Sequence, residues 1–213
     1  MVHHIYDLFL NNINNFSGNT NYWKGNTVNE TIRFRHDIHQ RILNNGFTIE
    51  IQKEILKWGG IHVFNQFHIV PDVLNRLHNH RSIDTNTANA ISSFSKLFAF
   101  YCPQHYFILD ARVSYVINNI IINNQIETPL INFNIKRSRN RNLRRRYEAM
   151  LDAPPFNYEF IDIADYYIRY CTFINETYNY FINDNPNIFN EEEFIFNSPE
   201  IIEMFLFYLA DHI

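Results

Sequence analysis

Apolar residues recur every three or four positions along most of the chain, the spacing that puts them on one face of a helix. Ile5, Leu8, Phe9 and Ile13 open the pattern in a short amphipathic piece. An Asn/Gly-rich segment around Tyr22-Trp23-Lys24-Gly25 follows and reads as a loop carrying large aromatics. Ile32, His36, His39 and Leu43 predict a helix over Thr31–Leu43, stopped at Asn44-Asn45-Gly46. Ile51, Ile55 and Trp58 predict a second over Thr48–Trp58, ending at Gly59-Gly60. Between Ile61 and His80 the pattern is partly helical, with an interruption expected near Val70-Pro71 because proline removes a backbone donor and restrains its predecessor, and with Asp72, Val73, Leu74 and Leu77 fitting a short helix beyond it.

Asp84 or Thr85 can cap the next helix, along which Ile91, Phe94, Leu97, Phe98 and Tyr101 form an apolar stripe. That stripe places Ser92 and Ser95-Lys96 on or near the opposite edge. Pro103 ends the helix, and Gln104–Leu109 is expected to be extended or irregular. Asp110 has the residue type of an N-cap for a helix that buries Val113, Val116, Ile117, Ile120 and Ile121, and Pro129 closes the block. After Pro154-Pro155, Tyr158–Ile182 predicts a long helix rich in Tyr, Phe and Ile, and Ser198-Pro199 starts the last one after the acidic turn Glu191–Glu193. No period-2 stretch predicts a sheet, and no repeat or long linker divides the chain. The expected fold is all-α: a helical bundle over residues 1–213, one domain whose helices form two lobes with a cleft between them.

Composition adds bounds. With 213 residues, 46% hydrophobic and 16% aromatic, the chain can bury a sizeable core. Two cysteines, Cys102 and Cys171, are too few for a disulfide framework and point to a reducing compartment. The N-terminus lacks the pattern of a signal peptide, and no apolar run reaches the roughly 18 residues of a membrane span, so a cytoplasmic monomer without membrane contact is expected. His36–His39 and His78–His80 have metal-compatible spacing but no third ligand, and no Gly-rich phosphate loop occurs, so neither metal nor other cofactor is expected.

Net charge is only −4, yet its distribution is uneven. Lys136, Arg137, Arg139, Arg141, Arg144, Arg145 and Arg146 are seven of the chain's 18 basic residues, crowded into KRSRNRNLRRR without an acid. Like charges at that density repel unless a polyanion is present, which makes the run a candidate DNA-backbone contact.

Ser95-Lys96-Leu97-Phe98-Ala99-Phe100, Pro103 and Ile108-Leu109-Asp110-Ala111-Arg112-Val113 resemble the centre of the helix-hairpin-helix DNA glycosylases, the superfamily of endonuclease III and 8-oxoguanine glycosylase. The resemblance covers about residues 85–122. It implies that Asp110 is the catalytic aspartate, set at a helix start beside a pocket for an extruded base. It also implies a partner, double-stranded DNA carrying a damaged or modified base. Two features depart from the family pattern. The turn His80–Thr85 lacks the glycine of the phosphate-gripping hairpin, and the lysine of bifunctional members would fall near Ser92 or Ser93 rather than at Lys96. The implied activity is therefore monofunctional, hydrolytic base excision. The S-K plus D-x-R-V form is similar to bacterial defence glycosylases that attack hypermodified phage cytosines such as glucosylated hydroxymethylcytosine.

The chemistry suits a lone carboxylate. Loss of a base leaves positive charge over C1′ and O4′, which a fixed aspartate can stabilise while it orients or deprotonates water. Base flipping further needs aromatic walls and phosphate contacts, for which Trp23 and Trp58, and Lys96 and Arg112, are candidates. The alternative is a non-catalytic helical nucleic-acid-binding protein that uses the basic run, with Asp110 a structural cap.

Overall fold

The computed structural model describes residues 1–18, 27–135, 140–152, 158–189 and 194–213. The chain is mostly helical and all-α, as expected. In order come α1 (Val2–Ser17), α2 (Val28–Asn45), α3 (Ile49–Trp58), α4 (Val70–His80), α5 (Thr85–Asn89), α6 (Ile91–Tyr101), α7 (Ala111–Asn123), β1 (Leu130–Asn132), α8 (Arg141–Asp152), β2 (Phe160–Asp162), α9 (Ile163–Asp184) and α10 (Glu200–Leu209). No helix among the described residues is long and apolar enough to cross a membrane.

Side-chain caps set several helix starts. Thr27 and Glu30 close a capping box at α2, with Thr27 N–H donating to Glu30 Oε2 at 2.7 Å and Glu30 N–H to Thr27 Oγ1 at 3.2 Å. Thr48 caps α3, and Asp84 Oδ1 accepts from Thr87 N–H at 2.7 Å to cap α5. Pro71 lies in the first turn of α4, where its missing donor has no intrahelical partner to lose, so the break expected there is the start of the short helix read through Asp72, Val73, Leu74 and Leu77.

Two expectations change. The helix foreseen from Thr85 to Tyr101 is two, broken at Ala90, whose φ of −117° leaves the helical region. A short parallel pair also forms, with Leu130, Ile131 and Asn132 registered against Phe160, Ile161 and Asp162. Three-residue strands are too short to display alternation. What holds β1 is a side chain: Asn118, buried in the middle of α7, accepts from Ile131 N–H at 2.8 Å and donates to Ile131 O at 3.0 Å.

One continuous apolar core joins the helices. α10 lies along α7, α2 and α3 pack on α6, and α9 spans between α1 and α5. The densest aromatic packing is where α1 meets α9 and α10: the Phe9 ring is 4.9 Å from Phe205, 5.3 Å from Phe181 and 5.5 Å from Phe189, all edge-on. The α6–α7 junction is itself buried at Phe107, Ile108 and Leu109, and a cleft opens beside it at the start of α7.

Candidate functional site

The segment after Pro103 runs without regular structure through Phe107–Leu109 and delivers Asp110 to the start of α7. Asp110 is extended, with φ −131° and ψ −173°, and its Oδ1 accepts from Arg112 N–H at 2.9 Å and Val113 N–H at 3.3 Å. The cap thus uses one carboxylate oxygen. Among the described residues Oδ2 accepts no hydrogen bond, which leaves it available to a ligand at a helix N-terminus.

Asp110 is half-buried in the wall of a cleft of about 500 Å³ that also admits Ser92, Ser93, Lys96, Arg112 and Asn140. The cleft therefore collects residues from α6, the start of α7 and the approach to α8. Phe207 of α10 supplies an apolar wall. That volume lies in the range of small-molecule sites and suits one extruded base.

Lys96 is the largest departure from the sequence expectation. The apolar stripe of α6 predicts it with Ser95 near the polar edge of the helix, yet Ser95 is wholly buried and Lys96 only 5% exposed. Helical side chains lean toward the N-terminus, and Lys96 does so, its Nζ donating to Ser92 O at 2.7 Å. Gly59 makes room for this path: a Cβ there would meet Lys96 Cδ and Cε. Burial lowers the Lys96 pKa below the ordinary lysine value, while the carboxylates of Asp110 and Glu203 oppose that shift. An amine whose charge is disfavoured by its surroundings and favoured by two acids thus shares the cleft with Asp110.

Arg112 also lines the cleft, but α10 holds it. Its guanidinium lies 4.4 Å from the Phe207 ring centroid and 3.6 Å from Asp211 Oδ2. Trp58 is a core residue. At 8% exposure it packs on Phe34 and Phe100 at 5.8 and 5.0 Å, which corrects its assignment to a base pocket. Trp23 lies outside the described residues.

Of the basic run, Lys136, Arg137 and Arg139 lie outside the described residues. Arg141, Arg144, Arg145 and Arg146 belong to α8, whose first turn Asn140 caps by accepting from Leu143 N–H at 3.0 Å. Arg141 and Arg145 are exposed. Arg146 turns inward, donating to Ala210 O at 2.9 Å and Tyr115 Oη at 3.0 Å with its guanidinium over the Tyr115 ring, so its role as a DNA contact is replaced by a structural one. Cys171 is buried and its thiol pushed up to about 12 by that burial, far from nucleophilic character.

Sequence reading missed the buried polar groups behind the site. Arg35 and Glu203 are 0% and 1% exposed and paired, with Arg35 Nη2 donating to Glu203 Oε1 at 2.8 Å and Nη1 to Oε2 at 3.1 Å. Arg35 sits in the amphipathic α2, whereas α10 is apolar on every side apart from Glu200 and Glu203, so the signal available was a glutamate inside an apolar helix. Compared with known proteins, the chain matches no family model, no curated protein and no solved structure.

Proposed function

We propose that the protein is a monofunctional DNA glycosylase in which Asp110 is the catalytic aspartate. The observation that carries the reading is Asp110 itself, a carboxylate rigidly capped through Oδ1, with Oδ2 unengaged by described residues, in the wall of a base-sized cleft. In the reaction the C1′–N bond breaks with its electron pair leaving on the base. The Asp110 carboxylate faces the developing charge on the sugar and accepts a proton from the water that adds to C1′. Fixed at a helix start, it needs little reorganisation for that role.

Arg141 and Arg145 on the exposed side of α8 suit the phosphate backbone, since Asn140 and Leu143 of the same turn border the cleft. The hydrolytic assignment follows from the resemblance, which puts the nucleophilic lysine of bifunctional members near Ser92 or Ser93, both serines here. Damaged bases and hypermodified phage cytosines, including the glucosylated form, are the substrate classes to try first.

The test is incubation of purified protein with ordinary, damaged and phage-modified duplexes, mass spectrometry of released bases and alkaline cleavage at abasic sites. Asp110→Asn keeps a cap acceptor and removes the charge, so it is expected to bind DNA but release base far more slowly than wild type. No release from any substrate by the wild-type protein sinks the reading. Covalent trapping by borohydride on spontaneously nicked DNA overturns the hydrolytic part and implicates an amine. One observation favours a second reading, a non-catalytic nucleic-acid-binding protein: Asp110 does cap α7. On that reading Asp110→Asn behaves as wild type in every assay.

A further inference from the structure

Phe107–Leu109 is an irregular segment whose backbone is held by side chains rather than by neighbouring backbone. Tyr167 Oη donates to Phe107 O at 3.1 Å, and Tyr170 Oη to Ile108 O at 2.9 Å. Ile108 N–H donates to Glu203 Oε2 at 2.8 Å. Ser95 Oγ accepts from Leu109 N–H at 3.1 Å and donates to Leu109 O at 3.2 Å. These side chains come from α6, α9 and α10, and Arg35 of α2 fixes Glu203 from behind. Arg35, Ser95, Tyr167, Tyr170 and Glu203 are all 0% or 1% exposed.

A buried ion pair adds little net stability over apolar residues of the same volume, because desolvating two charges offsets their attraction. What it does add is direction. Glu203 is tied to a bidentate arginine at both oxygens, so Ile108 N–H has one place to be, two residues before Asp110. We infer that Glu203, held by Arg35, is a positioning residue for Asp110 that acts through the Phe107–Leu109 backbone. The consequence for catalysis rests on the glycosylase reading; the consequence for Asp110 geometry does not. Ser95, Tyr167 and Tyr170 complete the same clamp.

Glu203→Gln retains an acceptor for Ile108 N–H but breaks the charged pair with Arg35. It is expected to lower single-turnover base release roughly 10- to 100-fold, the scale of a small misplacement of a reacting group, with DNA affinity within about twofold of wild type. Amide exchange at Arg112 and Val113, the two N–H groups bound by Asp110, is expected to accelerate. A variant that melts lower yet keeps the wild-type release rate and wild-type exchange at those amides overturns the inference. Should the wild-type protein release no base, the glycosylase reading fails separately, and amide exchange alone decides the positioning role.

Should Glu203→Gln not fold, Tyr170→Phe and Ser95→Ala each remove one side chain of the clamp and are expected to change release and exchange in the same direction by smaller factors. Phe181→Leu, in the aromatic cluster away from the clamp, is the control for general loss of stability. Equal effects in the control and in the clamp variants overturn the inference.

Discussion

Two parts of the core, joined through α9 and α10, are built on opposite principles. Where α1 meets α9 and α10, Phe9, Phe16, Phe181, Phe189, Phe194 and Phe205 pack ring against ring, some edge-on, some tilted and Phe181 stacked on Phe189. At the α6–α7 junction, buried Arg35, Glu203, Ser95, Lys96, Tyr167 and Tyr170 surround a short irregular segment. The first part gains stability from area and accepts many orientations of its rings. The second is costly to desolvate and is satisfied in few geometries. The contrast separates a region that keeps the chain folded from one that keeps a few atoms in place.

The largest effect that would sharpen the contrast is on rate. Asp110→Asn is expected to reduce base release by about 10²- to 10⁴-fold, the range for loss of a positioned base or charge, while the melting temperature stays near wild type because asparagine also caps helices. Phe9→Ala is its mirror image. Truncating that wholly buried ring is expected to cost about 3–5 kcal/mol of stability, read from chemical denaturation, and to leave the release rate per folded molecule unchanged. A large rate loss in the phenylalanine variant breaks the comparison.

Lys96→Met tests the second part from the other side. Burial lowers the folded-state pKa of Lys96, so between that value and the unfolded value of 10.5 the unfolded chain binds the proton more readily, and stability rises with pH. Below that window the buried charge costs stability in full. The methionine variant is therefore expected to be about 1–2 kcal/mol more stable at neutral pH, with the advantage shrinking as pH approaches the unfolded value, measured by melting across pH. An advantage that grows with pH refutes the burial argument.

The smallest effect concerns α8. Arg141→Gln with Arg145→Gln is expected to weaken DNA binding and to reduce the slope of log affinity against log salt by about 1–2, without altering stability. Arg146→Gln is expected to do the reverse, because that guanidinium is committed to Ala210 O and Tyr115.

Much of the helical order was legible along the chain. Thr48, Asp84 and Asp110 cap the helices whose starts their side chains mark, and Gly46 and Gly59 close the two they follow. Pro71 marks the start of α4, the short helix read beyond it, because a missing donor is tolerated in a first turn. For Ser95 and Lys96, helical periodicity places a residue on a face but does not say whether that face is covered: the Leu109 backbone covers Ser95, and Gly59 at the end of α3 lies against Lys96.

The sequence by itself determined an all-α chain, the position of Asp110 at the head of a helix and the charge of α8. These depend on contacts between residues a few positions apart, and such contacts are written in local order. Tertiary structure alone decided that Lys96 shares a cleft with Asp110, that Trp58 is core, and that Arg35 and Glu203 meet 168 positions apart to hold the segment before Asp110. Those depend on which faces are brought together, and pairing at such separation leaves no periodic trace in the chain.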